Sequence, residues 1–249
     1  MKYFEVVSTE AGATAGPAIP PARTPTISIE FPVGGKRARE VISRSNSKAT
    51  GKYPSWKMNR NVHYESLHEC NAFKLLDACP EVSYFGEQPC RIRYVMNGEL
   101  RIHYPDVLVK IHATKELLEI KTPDDAAAEE VRERTEFMQR ALPLLGFRYR
   151  VLTSDLLSQS PRLNNAETLL RFGRTPVSPV VREQIRQMFM ASGSERWGTF
   201  QTGLIGTNYR SAVCRLLLEG ALKIDFNQQL CQESLIQWVD HSIGGASWA

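Results

Sequence analysis

Tyr104-Pro105-Asp106-Val107-Leu108-Val109 and Leu117-Leu118-Glu119-Ile120-Lys121 are the two runs from which the fold is read. Each is a short apolar stretch bearing a few charges, the pattern of neighbouring strands. Glu119 and Lys121 are residues i and i+2 of one strand, so both side chains leave the sheet on the same face. Leu118 and Ile120 point the other way, into a core. Asp106 is expected inside the preceding strand, where Pro105 is tolerable only at an edge or a bulge.

Working outward, residues 64–78 are expected to form a helix. Its apolar stripe is Leu67, Cys70, Phe73 and Leu76 with neighbouring Leu75, and Asp77 and Pro80 mark its end. Glu65 and Glu69 are four apart and share a face of it. Residues 82–85 read as a strand broken by Gln88-Pro89. Residues 90–95 alternate Ile92 and Tyr94 with Arg91 and Arg93, a half-buried strand, and Asn97-Gly98 is a hairpin signal. Residues 100–110 are the expected return strand, 112–115 a turn and 116–121 the next strand. Residues 124–142 read as one helix that turns Ala127, Val131, Phe137, Met138 and Leu142 inward. Gly146 ends this segment, and residues 147–152 form a strand. Together these predict a mixed α/β sheet with a crossover helix packed on it.

After Thr153 the pattern changes to short helices over 161–172, 178–191, 197–204 and 208–219, followed by a turn and a strand over 220–226. Successive helices and then a short β-ribbon make the winged-helix pattern, with Arg210 and Arg215 on the expected recognition helix. The domains predicted are an N-terminal arm over 1–34, a core domain over 35–155 and a winged-helix-like α domain over 156–249. Residues 8–27, rich in Ala, Gly, Pro and Thr, are the flexible part of the arm.

The 249 residues suffice for one large domain or two small ones. The net charge of +4 is modest, and its distribution says more than its size. Between Gly34 and Arg60 the cations Lys36, Arg37, Arg39, Arg44, Lys48, Lys52, Lys57 and Arg60 face a single acid, Glu40, with Tyr53 and Trp56 among them. Basic side chains with interleaved aromatics suit phosphates and bases. Lys36, Arg37, Arg44, Lys48, Lys52, Tyr53, Lys57 and Arg60 are therefore expected to contact DNA. The five cysteines include no Cys-x-x-Cys pair, which argues against structural zinc and a disulfide scaffold and suits a reducing cytoplasm. No signal peptide and no apolar run long enough to span a bilayer are read.

Hydrolysis of a phosphodiester builds charge on the attacking and leaving oxygens, and magnesium neutralises it. A hard cation takes oxygen ligands, so carboxylates are required. Asp106 and Glu119 on adjacent strands can supply them, and Glu69 on a helix packed on the sheet can complete the shell. Lys121, beside Glu119, can orient or help deprotonate the attacking water or neutralise developing charge.

Pro-Asp in one strand, Glu-x-Lys in the next, a helical glutamate upstream and a crossover helix downstream resemble the PD-(D/E)xK nuclease core, a restriction-endonuclease-like fold. The resemblance narrows through residues 45–55 (SNSKATGKYPS), 64–69 (YESLHE), 85–89 (FGEQP), Tyr104-Pro105-Asp106 and Leu118-Glu119-Ile120-Lys121. Over residues 35–155 these are similar to the TnsA endonucleases, nuclease subunits of heteromeric, Tn-seven-like transposases. The resemblance implies cleavage of the 5′ strand at transposon ends during cut-and-paste DNA transposition. It implies Mg2+, with Mn2+ as a substitute, and as partners double-stranded DNA, a DDE transposase (TnsB) and an AAA+ regulator (TnsC). It also implies Glu69, Asp106 and Glu119 as metal ligands and Lys121 as the catalytic lysine. Glu69 is preferred to Glu65 by its spacing from Glu87-Gln88, and Gln88 takes a structural or substrate-positioning role. Some family members have Gln where this chain has Glu119. A stand-alone restriction or repair nuclease and a catalytically silent DNA-binding adaptor are the alternatives. The intact acidic set and Lys121 argue against the adaptor.

Overall fold

The structure is a computed structural model that describes residues 26–35, 37–38, 49–201 and 207–239. Its centre is a mixed four-stranded sheet of β4 (Val82–Glu87), β7 (Val107–Ile111), β8 (Thr114–Lys121) and β9 (Arg148–Thr153), in the order β4-β7-β8-β9. β4, β7 and β8 run antiparallel in succession, and β9 lies parallel to β8 with Glu119 opposite Val151 and Lys121 opposite Thr153. The parallel step needs a crossover. It is made by α2 (Pro123–Ala127) and α3 (Glu129–Ala141). The chain expected as one helix here breaks at Ala128, whose ψ of 135° leaves the helical region, and Ala127 is exposed. No side-chain contact explains the break.

Both faces of the sheet are covered. On one face Val107, Val109, Leu118 and Ile120 pack with α1 (Leu67–Ala78), through Phe73 and Leu76, and with the hairpin of β2 (Gly51–Ser55) and β3 (Arg60–Tyr64). On the other, Leu108, Leu117 and Tyr149 meet Met138 of α3, the following Leu142, and Cys90, Ile92, Tyr94 and Met96. Those last residues lie in or beside β5 (Arg91–Met96). It is the middle strand of an antiparallel sheet with β1 (Ile27–Glu30) and β6 (Glu99–His103). The expected alternation in β5 is present: Ile92 and Tyr94 are buried beneath Arg91 and Arg93. Asn97 (φ 55°) and Gly98 (φ 82°) turn the β5–β6 hairpin in the left-handed region that a tight two-residue loop requires.

Three expectations are corrected. The return strand over 100–110 is two strands in two sheets. β6 ends at His103, the chain crosses at Tyr104-Pro105, and β7 begins after Asp106. Proline has no N–H for a ladder, and the flanking backbone pairs elsewhere: Asp106 N donates to Leu118 O and Asp106 O accepts from Gln88 N. The helix expected from Tyr64 starts at Leu67, because Tyr64 pairs with Gly51 in the β2–β3 ladder and Ser66 caps the helix. Leu67, in its expected apolar stripe, is 60% exposed. Finally, Ile27–Glu30, inside the expected arm, is a strand on β5, with Ile27 and Ile29 packed on the core side. Residues 1–25 lie outside the described residues.

The C-terminal part follows α4 (Ser154–Ser158) with α5 (Arg162–Phe172), α6 (Pro179–Ser192), β10 (Ser194–Arg196), α7 (Trp197–Gln201), α8 (Thr207–Leu218), β11 (Leu222–Lys223) and β12 (Leu235–Trp238). Its three strands form an antiparallel sheet in the order β10-β12-β11. The second half of α8 is enclosed by its surroundings: Ala212, Val213, Cys214, Leu216, Leu217 and Leu218 are all buried. A Cβ on Gly173 would lie 2.8 Å from the Cys214 carbonyl carbon, so only glycine allows the end of α5 this close to α8. Among the described residues no helix is long and apolar enough to cross a membrane.

Candidate active site

The site forms where the chain passes from one sheet to the other. Asp106 sits in the linker between β6 and β7, and its Oδ2 accepts from the backbone N of Ile120 at 2.7 Å. That bond fixes the carboxylate against β8, one residue from both Glu119 and Lys121. Burial pushes the Asp106 carboxyl well above the usual range, and the charges of Glu119 and Glu69 add to the push. Lys121 and the Ile120 N–H act the other way. Asp106 is thus held beside the strand that carries Glu119 and Lys121.

Glu119 is buried, and each of its oxygens faces a cationic or imidazole nitrogen. Lys121 Nζ lies 2.7 Å from Oε1, Arg134 Nη2 3.6 Å from Oε1, and His103 Nε2 3.3 Å from Oε2. Burial alone would raise the Glu119 carboxyl, but His103 and Lys121 outweigh it and hold it below the usual value. Lys121 is raised despite its own burial, because Glu119 and Asp106 favour the ammonium.

Glu69 has a second task. Ser66 Oγ accepts from Glu69 N at 3.2 Å, and the Glu69 carboxylate accepts in return from Glu65 N at 2.8 Å and Ser66 Oγ at 3.1 Å. This reciprocal exchange is close to a capping box, and it ties up donors that the first turn of α1 leaves unpaired. Glu65, the alternative, is bound otherwise: its Oε1 accepts from Gln88 Nε2 at 2.7 Å and from Arg37 Nη2 at 2.8 Å. Gln88 is buried with a left-handed backbone (φ 42°), its N–H on Asp106 and its carbonyl accepting from Ala38 N, and its Oε1 has no partner. It therefore joins Glu65, Asp106 and the segment at Ala38.

Among the described residues of the basic lead-in, Arg37, Tyr53, Lys57 and Arg60 have partners within the protein. Tyr53 is buried and donates to Asp77 Oδ2 at 2.8 Å. Lys57 donates its ammonium to the carbonyls of Leu76 and Cys79, at the C-terminal end of α1, where a cation suits the helix dipole. Arg60 spans both oxygens of Glu87 at 3.1 and 2.7 Å. Arg37 is committed to Glu65. Lys52 is exposed on β2. Lys36, Arg44 and Lys48 lie outside the described residues. In the C-terminal part Arg210 stacks over Phe172 at 3.7 Å and Arg215 over Trp56 at 4.2 Å, so both turn into the protein.

Sequence reasoning missed His103, Arg134 and Tyr149. His103 stands just before Tyr104-Pro105-Asp106, the one local signal available. Arg134 reads as part of a charged helix face and Tyr149 as strand core. Among the described residues no group of three His, Cys, Asp or Glu side chains is already gathered as a metal cage. Compared with protein-family models and with curated proteins, the chain matches none.

Proposed function

We propose that this protein is a metal-dependent DNA endonuclease of the TnsA type that cuts the 5′ strand at transposon ends, acting with a DDE transposase and an AAA+ regulator. The observation that carries the reading is Asp106 fixed on the Ile120 N–H between Glu119 and its partner Lys121, where the chain changes sheets. The mixed sheet β4-β7-β8-β9 with its crossover helices supports a PD-(D/E)xK core. The order α6, β10, α7, α8, β11, β12 with sheet order β10-β12-β11 supports a winged-helix domain. Because the second half of α8 is enclosed and Arg210 and Arg215 face inward, this domain is assigned to packing and partner contact, not to reading a DNA groove.

The donor set fits Mg2+. All three acids offer oxygens, and Asp106 and Glu119 repel one another in a buried place, a cost that a divalent cation removes. Mg2+ keeps several waters and needs only one or two carboxylates, so a closed protein cage is not required. Asp106 and Glu119 would hold the ion, with Glu69 as the third acid. The ion supplies charge neutralisation at the scissile phosphate. The Ile120 N–H keeps Asp106 in place. Lys121, on the same face as Glu119, orients the attacking water and balances charge on the phosphate as it builds.

The test is an excision assay with the partner transposase and Mg2+. Asp106→Ala and Lys121→Ala should each lose 5′-strand cleavage by at least about a hundredfold, while 3′-end joining survives and gives cointegrates in place of simple insertions. Unchanged 5′ cutting by Asp106→Ala would remove the proposed site.

A further inference from the structure

Three side chains outside the proposed catalytic set gather around Glu119. His103 ends β6, Arg134 lies on α3 and Tyr149 on β9, so the group draws on both sheets and the crossover. His103 Nε2 lies 3.3 Å from Glu119 Oε2 and 3.0 Å from Tyr149 Oη. Arg134 Nη2 approaches Glu119 Oε1 at 3.6 Å. The Arg134 side chain is 15% exposed, and its Nε is buried without a partner.

Two cations therefore share Oε1, and they differ in kind. Lys121 is the closer and the more exposed, a point charge on a flexible stem. Arg134 is a planar fork held by a helix whose Met138 is fully buried. In the chain without metal, Lys121 as the sole partner of Glu119 would leave a buried carboxylate without a counter-charge whenever its ammonium turned to solvent, which is strongly unfavourable.

We infer that His103, Arg134 and Tyr149 are positioning residues for the Glu119 carboxylate, with Arg134 as its standing counter-charge in the metal-free chain, so that Glu119 stays in place for the metal when Lys121 leaves it. The inference rests on the nuclease reading above. It assigns Arg134 no contact with DNA or with the reacting phosphate.

The experiment measures Mn2+ binding to the full chain, without DNA, by the electron paramagnetic resonance of free Mn2+, with circular dichroism to verify folding. Arg134→Gln should weaken Mn2+ binding about tenfold, the effect expected of a group that orients a ligand. Arg134→Lys should recover most of that loss. His103→Gln should act in the same direction, and the double variant should fall short of the product of the two, because both act on one carboxylate. In an Glu119→Gln background Arg134→Gln should add nothing. A folded Arg134→Gln chain that binds Mn2+ as tightly as wild type overturns the inference and leaves the nuclease reading standing. A wild-type chain that neither binds Mn2+ nor cuts DNA with its partner overturns both.

Discussion

The guanidinium of Arg215 lies 4.2 Å from the centre of the Trp56 ring, joining α8 to the turn between β2 and β3. Arg215 also donates to the Arg174 carbonyl at 3.1 Å and pairs with Glu219. Trp56 in turn donates its indole N–H to the Asp77 carbonyl at 3.0 Å. The basic, aromatic lead-in to the site thus contributes to the joint between the sheet core and the C-terminal helices, beside the packing of α1 on α5. Arg215→Ala should cost about 2 kcal/mol, from the cation–π contact and the lost hydrogen bonds. Urea unfolding of the full chain measures this, and an unchanged midpoint would show that the joint contributes nothing.

Asp77 is the anchor of that joint. It is fully buried in the last turn of α1. Its carboxylate accepts from Tyr53 Oη at 2.8 Å, Ser55 Oγ at 2.6 Å, and the backbone N of Trp56 and Lys57 at 3.3 and 3.2 Å. Asp77→Ala would strand several buried donors together, and the expected loss is about 3–5 kcal/mol. Equilibrium denaturation followed by tryptophan fluorescence should register it, because Trp56 sits on the affected turn. A loss below about 1 kcal/mol would mean that the turn holds without its acceptor.

Glu87 makes stability depend on acid. Burial would raise its carboxyl, but the hydrogen bonds from Arg60 and the His63 N–H more than offset this and hold it below 4.5. The folded state therefore binds the proton less readily than the unfolded chain, so this contribution is present above pH 4.5 and is lost as pH falls through the folded value. Its size is about 1 kcal/mol, limited because Arg60 is 41% exposed. Glu87→Gln should lower stability at pH 7 and narrow the gap to wild type toward pH 3. A gap that stays constant between those pH values would contradict the linkage.

Much of the site was legible because strand geometry is local. Glu119 and Lys121 share a face by the two-residue period alone, and Asn97-Gly98 marks its turn by backbone conformation alone. Asp106 is expected inside a strand but lies in the linker between β6 and β7. A run of alternating residues from 100 to 110 reads as one strand, and only the pairing of Asp106 with Gln88 and Leu118 shows that the chain changes sheets there.

What the amino-acid sequence determined by itself is the periodic part of this protein: the strands flanking Asn97-Gly98, the Glu-x-Lys face of β8 and the helices of the C-terminal part. Those follow from steric preferences acting over a few residues. The tertiary structure decided where the charges point. The spacing of Tyr53, Lys57 and Arg60 gives no sign that Asp77, the end of α1 and Glu87 are brought against them. His103, Arg134 and Tyr149 become neighbours of Glu119 only when two sheets and a crossover helix meet. A charge takes the partner that packing delivers at short range and low dielectric, and sequence spacing does not carry that partner's identity.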